Sequence, residues 1–198
     1  MTHIVFDIGN VLLRWDPYAA FAHLPRAEVE AMFDAVDFPA WNLANDGGRC
    51  RAEAIAAISE THPGHAARME EYFDRFHHTI QEPIHGTWQI ADRLKRDGRR
   101  LFGLTNFSAD TWPVALALHG GLAHLFEDVV VSGMEKTVKP EPHIYTILCD
   151  RNGLEPADCL FIDDRAENVA GARAVGWDGV QFTTPEALEL ALAERGLL

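Results

Sequence analysis

Asp7, Thr105-Asn106, Ser132 and Asp163-Asp164 each follow a short apolar run in this 198-residue chain. Their types suit chemistry on an anion held beside a cation. Asp7 lies in Ile4-Val5-Phe6-Asp7-Ile8-Gly9-Asn10-Val11. A carboxylate at a strand end, beside a glycine that admits a ligand to the backbone, suits nucleophilic attack or metal binding. Turn formation is the more ordinary use of such an Asp. Asp163-Asp164 follows Cys159-Leu160-Phe161-Ile162. Two adjacent carboxylates repel each other, and a divalent cation such as Mg²⁺ removes that cost. Asn168 lies about one helical turn beyond them and is placed to orient the pair. Thr105 and Asn106 offer a hydroxyl and an amide that donate to phosphoryl-type oxygens or cap a helix. Lys139, in Thr137-Val138-Lys139-Pro140-Glu141-Pro142, offers a point charge from a rigid loop. Lys136 competes for that role.

The elements that must position these residues follow from hydrophobic patterning. Apolar runs cover His3–Phe6, Arg100–Leu104, Asp128–Val131, Cys159–Ile162 and Gly179–Phe182, and helical stretches separate them. Near-continuous apolar strands belong to a parallel sheet covered on both faces. The alternation with helices predicts a doubly wound α/β fold. In such sheets the ligand crevice lies at the carboxyl ends of the strands, so the polar residues are expected to converge there.

About 90 residues between the first and second strands break this alternation. They read as helices over Pro17–Leu24, Pro25–Ala35, Arg51–Glu60 and His65–Ile80. Pro39, Asp46-Gly47-Gly48 and Pro63-Gly64 read as punctuation. Residues 16–84 are therefore expected to form a small helical cap domain over a core made of residues 1–15 and 85–198. Ile84–Arg96 resumes the core as a helix.

Composition bounds the partners. A net charge of -13 makes nucleic acid and anionic membranes poor partners, while a local cation and lysine still admit a small phosphorylated molecule. Cys50, Cys149 and Cys159 form no metal or redox motif and read as buried reduced thiols. With no leader and no bilayer-length apolar run in the sequence, the expected location is cytoplasmic. Oligomeric state is not legible.

The order and spacing of these residues resemble the haloacid dehalogenase superfamily over essentially the whole chain. Asp7 matches the nucleophile of its first motif, and Thr105-Asn106 the second. Lys139 in VKPEPHIY matches the third, and Asp163-Asp164 in FIDDRAEN the acidic fourth. The insertion resembles the helical cap of subfamily I. The FDIGNV form is similar to a sugar-phosphate phosphatase subgroup that includes α-D-glucose-1-phosphate phosphatases. The resemblance implies a Mg²⁺-dependent phosphate-monoester hydrolase working through an aspartyl-phosphate on Asp7. It assigns the metal to Asp7, the Gly9 carbonyl and Asp163 or Asp164. It assigns phosphoryl oxygens to Thr105, Asn106, Lys139 and Asn10. One departure stands out: family phosphatases usually carry an acid/base Asp two residues after the nucleophile, where this chain has Gly9. Asp16, His85, Trp41 and Asp46 are substitutes by position, with capping or packing the expected role of each. Gly9 also fits a metal-independent 2-haloacid dehalogenase, or a binding or regulatory protein of reduced catalytic power. The acidic pair argues against the dehalogenase, and the four filled motifs argue against the binding protein.

Overall fold

The structure, a computed structural model, describes residues 2–198. Five parallel strands form the central sheet: β1 (His3–Phe6), β2 (Leu101–Thr105), β3 (Val129–Val131), β4 (Cys159–Asp163) and β5 (Asp178–Gln181). Each lies within one residue of the run that predicts it. The spatial order is β3-β2-β1-β4-β5. The chain winds outward from β1 to β3, then crosses back to β4 on the other side of β1. The crevice of a doubly wound sheet opens at such a reversal, so the ends of β1 and β4 frame it.

Successive side chains of a strand point to opposite faces. Ile4 and Phe6 of β1 join one apolar cluster with Leu160, Ile162 and Val180, while Val5 joins the other with Phe102, Phe161 and Tyr145. Both faces are thus covered, as the apolar runs require. The helices are α1 (Arg26–Ala35), α2 (Phe38–Asp46), α3 (Arg51–Thr61), α4 (Ala66–Asp74), α5 (His85–Arg96), α6 (Trp112–Leu118), α7 (Leu122–Leu125), α8 (Ser132–Glu135), α9 (Pro142–Asn152), α10 (Ala166–Ala174) and α11 (Pro185–Ala193). Their ends follow ordinary rules. Pro142 and Pro185 sit in first turns, Thr184 caps α11 by accepting from the Ala187 N–H at 3.2 Å, and Gly153 ends α9 at φ 61°.

The insert departs from expectation in three places. Pro39 does not break structure but sits in the first turn of α2, where a missing N–H costs nothing because it has no intrahelical partner. Asp37 caps that helix, accepting from the Ala40 N–H at 3.4 Å. The run His65–Ile80 is not one helix: α4 ends at Asp74, Arg75 turns to donate to the Ala20 carbonyl, and a 3-10 turn covers Phe76–His78. Pro17–Leu24 forms only a 3-10 turn over Pro17–Phe21. The insert's apolar residues, among them Phe21, Phe33, Phe38, Trp41, Tyr72 and Phe76, pack edge-to-face, tilted or stacked on one another. Phe76 also packs against Phe107, just past β2, which ties this aromatic group to the core. No helix among the described residues is long and apolar enough to cross a membrane.

The insert touches the core again through the turn after α2. Gly48 has φ 103°, a left-handed conformation that favours glycine, and a Cβ there would stand 2.9 Å from Lys136 Cγ. Opposite it, a Cβ on Gly133 would fall 2.5 Å from the Ala109 nitrogen and 2.8 Å from the Phe107 oxygen. Gly48 therefore permits a close seating of the Asp46-Gly47-Gly48 turn on the segment after β3, and Gly133 lets that segment approach the residues after β2.

Candidate active site

The end of β1 delivers Asp7 and the end of β4 delivers Asp163, and Lys139 lies between them. Its Nζ stands 2.9 Å from Asp7 Oδ1 and 2.7 Å from Asp163 Oδ2, and donates to the Leu104 carbonyl at 3.0 Å. All three residues are buried. Lys136 is exposed, so Lys139 and not Lys136 is the lysine set between the two carboxylates. Asn106 decides where the lysine loop sits. Its Nδ2 donates to the Lys139 carbonyl at 3.0 Å and its Oδ1 accepts from the Lys139 N–H at 2.8 Å. Asn106, expected at the phosphoryl oxygens, lines the cavity while its amide clamps the lysine backbone.

Asp163 is held from every side. Oδ1 accepts from the Arg165 N–H at 2.8 Å, and Asn168 Nδ2 reaches Oδ1 and Oδ2 at 3.0 and 3.1 Å. Asn168 thus orients Asp163 across the first turn of α10. Asp164 is half-buried and faces the cavity, its carboxylate bonded by the Asn10 side chain. Asn10 takes φ 56°, and its Oδ1 accepts from the Trp15 N–H at 3.1 Å.

Burial raises the Asp7 carboxyl above the ordinary carboxylate range, the Lys139 charge opposes that, and Asp163 adds to it. Asp164 is raised by burial and by Asp163. Burial works against the Lys139 ammonium, but Asp7 and Asp163 outweigh it, and the lysine is held above its ordinary value. The balance is two negative charges and a half-buried third around a single lysine. Oxygen atoms of Asp7, Asp163 and Asp164 lie within 4.8 Å of one another. Nothing stands within 4 Å of where a Gly9 Cβ would be, so the backbone beside them is open to a ligand. An all-oxygen donor set with excess negative charge fits a hard divalent cation such as Mg²⁺.

The remaining sequence candidates take the following places. Thr105 ends β2 and is buried. Ser132 at the end of β3 is also buried, and its hydroxyl donates to the Asp46 carbonyl at 2.5 Å, pinning the insert to the core. Asp16 accepts from the Tyr18 N–H and caps a 3-10 turn. His85 is exposed at the start of α5. Trp41 is buried, its indole donating to the Ala54 carbonyl. Cys149 and Cys159 are buried free thiols as expected; Cys50 is free but exposed, because it begins α3 at the protein surface.

A cavity of about 510 Å³ covers Asp7, Gly9, Asn10 and Asp164. Its wall is largely apolar, with Trp15, Leu43, Tyr72, Phe73, Phe76 and Phe107 among its lining residues. Asp46, at the end of α2, lines it too. Packing was the expected role of Asp46, and the structure places it over the strand ends instead. The overlooked signal is the spacing of Phe38, Trp41 and Asn45 behind a capping Asp37, which marks a helix ending at Asp46.

The defining pattern of the haloacid dehalogenase-like hydrolases matches residues 1–176. The chain belongs to this family. Among haloacid dehalogenase-like relatives, fructose-1-phosphate phosphatase YqaB of Escherichia coli K12 is 25% identical over 185 residues, covering 89% of this chain and 94% of that protein. Sesquiterpene phosphatase astK of Aspergillus oryzae is 30% identical over 181 residues, covering 90% of this chain and 88% of that protein. Among solved structures, the family enzyme bt-2542 of Bacteroides thetaiotaomicron superposes with a TM-score of 0.77 at 20% identity, covering 93% of this chain and 94% of that one. A complex of bt-2542 with magnesium and inorganic phosphate is also known. The doubly wound α/β architecture read from the sequence is thus that of the haloacid dehalogenase-like hydrolases.

Proposed function

We propose that this chain is a Mg²⁺-dependent phosphate-monoester hydrolase that acts on a small phosphorylated metabolite through an aspartyl-phosphate at Asp7. The observation that carries the reading is the buried Asp7–Lys139–Asp163 arrangement with Asp164 beside it. Lys139 and the Ile8 N–H, at 2.7 Å, both engage Asp7 Oδ1, so Oδ2 is the oxygen left to attack phosphorus. Asp7, the Gly9 carbonyl and Asp163 or Asp164 would hold Mg²⁺. Asp164 is the better direct ligand, because Asp163 is already bonded on both oxygens. The cation supplies charge neutralisation for the phosphoryl oxygens. Lys139 and the donors at Thr105, Asn106 and Asn10 would add to that, in a transition state whose charge lies mainly on oxygen. Residues 16–84 serve as the cap, keeping water out and reading the leaving group.

The apolar wall bears on the substrate. The sugar-phosphate expectation draws support from the Escherichia coli relative. A polyol, however, asks for several polar partners, and burying hydroxyls without them is costly. The wall favours an ester whose alcohol presents an apolar face, in keeping with the Aspergillus relative. A setting in the cytoplasm is part of the same reading, supported by the free cysteines and the net charge of -13.

The test is hydrolysis of p-nitrophenyl phosphate, fructose 1-phosphate and farnesyl phosphate, with Mg²⁺ and after EDTA. Metal removal is expected to lower every rate by at least ~10²-fold, since several kcal/mol of charge stabilisation would go with it. Farnesyl phosphate is expected to show the higher kcat/KM of the two metabolite esters. Rates undiminished by EDTA, or chloride release from 2-chloropropionate without phosphate release, would overturn the reading.

A further inference from the structure

Expelling an alcohol from a phosphate monoester leaves an alkoxide that needs a proton, and position 9 supplies none. The cavity has few candidates. Asp7 is the proposed nucleophile, Asp164 would hold the cation, and Lys139 is bonded to two carboxylates and a carbonyl. Asp37 is exposed and caps α2. Tyr72 lines the cavity with a buried hydroxyl that faces the Trp15 side chain. Burial holds that phenol well above its ordinary range, so it is a poor proton donor and a better hydrogen-bonding contact.

Asp46 remains, and it is fixed in place. Its carboxylate accepts from Asn42 Nδ2 at 2.9 Å and from the Ser108 backbone, and its carbonyl accepts from Ser132 at 2.5 Å. It therefore reaches the site from the insert but is held by the ends of β2 and β3. We infer that Asp46 protonates the leaving oxygen as Asp7 attacks, and afterwards deprotonates the water that hydrolyses the aspartyl-phosphate. In the first step the Asp7 Oδ–phosphorus bond forms and the phosphorus–ester oxygen bond breaks. The electron pair goes to the ester oxygen, which takes the Asp46 proton and leaves as alcohol. In the second, water bonds to phosphorus, its proton returns to Asp46, and the electron pair of the broken bond returns to Asp7. Inorganic phosphate is released.

The electrostatics agree. Burial pushes the Asp46 carboxyl up to about 7, against the Ser108 hydrogen bond and Lys139, with Asp7 adding to the rise. A proton donor is most effective when its pKa lies near the working pH. The charged groups of the core acting on it are thus Lys139 and Asp7, and Asn42 is its partner on its own helix.

The inference rests on Asp7 as nucleophile, so the experiment tests both separately. Wild type, Asp46→Asn, Tyr72→Phe and Asp7→Asn are compared on p-nitrophenyl, phenyl and n-butyl phosphate with saturating Mg²⁺. In Asp46→Asn, kcat/KM for n-butyl phosphate is expected to fall ~10²–10⁴-fold, the range for loss of a positioned acid. For p-nitrophenyl phosphate, whose phenolate leaves without help, the loss is expected to be at least ~10-fold smaller. The fall in rate above pH ~7 with n-butyl phosphate should flatten in that variant. The ratio of two esters on one enzyme does not depend on how much of it folds. Equal losses on all three esters would assign Asp46 a structural role and overturn the inference, as would a leaving-group dependence that appears in Tyr72→Phe instead. Asp7→Asn should lose every ester alike; activity there would overturn the nucleophile reading itself.

Discussion

Asp7→Asn is expected to lower kcat by at least ~10³-fold on any phosphate ester, because it removes the attacking oxygen while keeping the side chain's shape. The fold should survive. Asp7 is raised above the ordinary carboxylate range by burial, so the folded state binds its proton more tightly than the unfolded chain does. Such a group contributes stability at low pH and loses it as pH rises through the folded value. At pH 8 the ionised Asp7 therefore adds no stability of this kind, and a neutral Asn loses none. Lys139 keeps Asp163 as a partner at 2.7 Å. The urea midpoint at pH 8 should match or exceed the wild-type value while turnover disappears. Loss of activity together with loss of folding would instead mean that Asp7 is a structural residue.

Lys139→Met is expected to do the opposite to stability. It leaves Asp7 and Asp163 buried with no cation between them. Removing one partner of a buried ion pair typically costs ~3–5 kcal/mol. The deficit should depend on pH in a definite direction. Without the lysine, Asp7 loses the charge that opposes its rise, so stability falls as pH rises. Urea unfolding at pH 8 should show most of the cost, and at pH 5 a smaller part of it. Mg²⁺ should restore more stability to the variant than to the wild type, since it binds the folded acidic cluster and not the unfolded chain. Turnover should fall by at least ~10²-fold even where the protein is folded, because the proposed mechanism needs a fixed positive charge beside Asp7. A deficit below ~1 kcal/mol at pH 8 would mean that the lysine is not what neutralises these carboxylates.

Much of this was legible in the sequence, for physical reasons that differ by region. The strands of a parallel sheet buried on both faces must be apolar throughout, so β1 to β5 stand out as short runs within one residue of their observed limits. Asp7 and Asp163 end two of those runs, and topology then brings them together. The choice between Lys136 and Lys139 was not legible. It depends on Asn106, 33 residues away in sequence, clamping the backbone of one loop residue. The insert is the least legible region. Pro39 looks like a breaker unless its place in the first turn of α2 is known. The periodic Met69, Tyr72, Phe73, Phe76 and Ile80 look like one helix, although the chain turns at Arg75 to meet the Ala20 carbonyl. The place of Asp46 was not legible for the same reason: Ser132 and Ser108 fix it, and both are remote in sequence.

The central claim is that Asp7 carries the phosphoryl group. The most direct measurement is to quench the Mg²⁺-loaded enzyme during turnover, reduce it with borohydride, and sequence its peptides by mass spectrometry. An acyl phosphate is reduced to an alcohol, so the expected result is homoserine at position 7 and nowhere else. Reduction at another carboxylate, or steady phosphate release with position 7 always recovered as Asp, would contradict it.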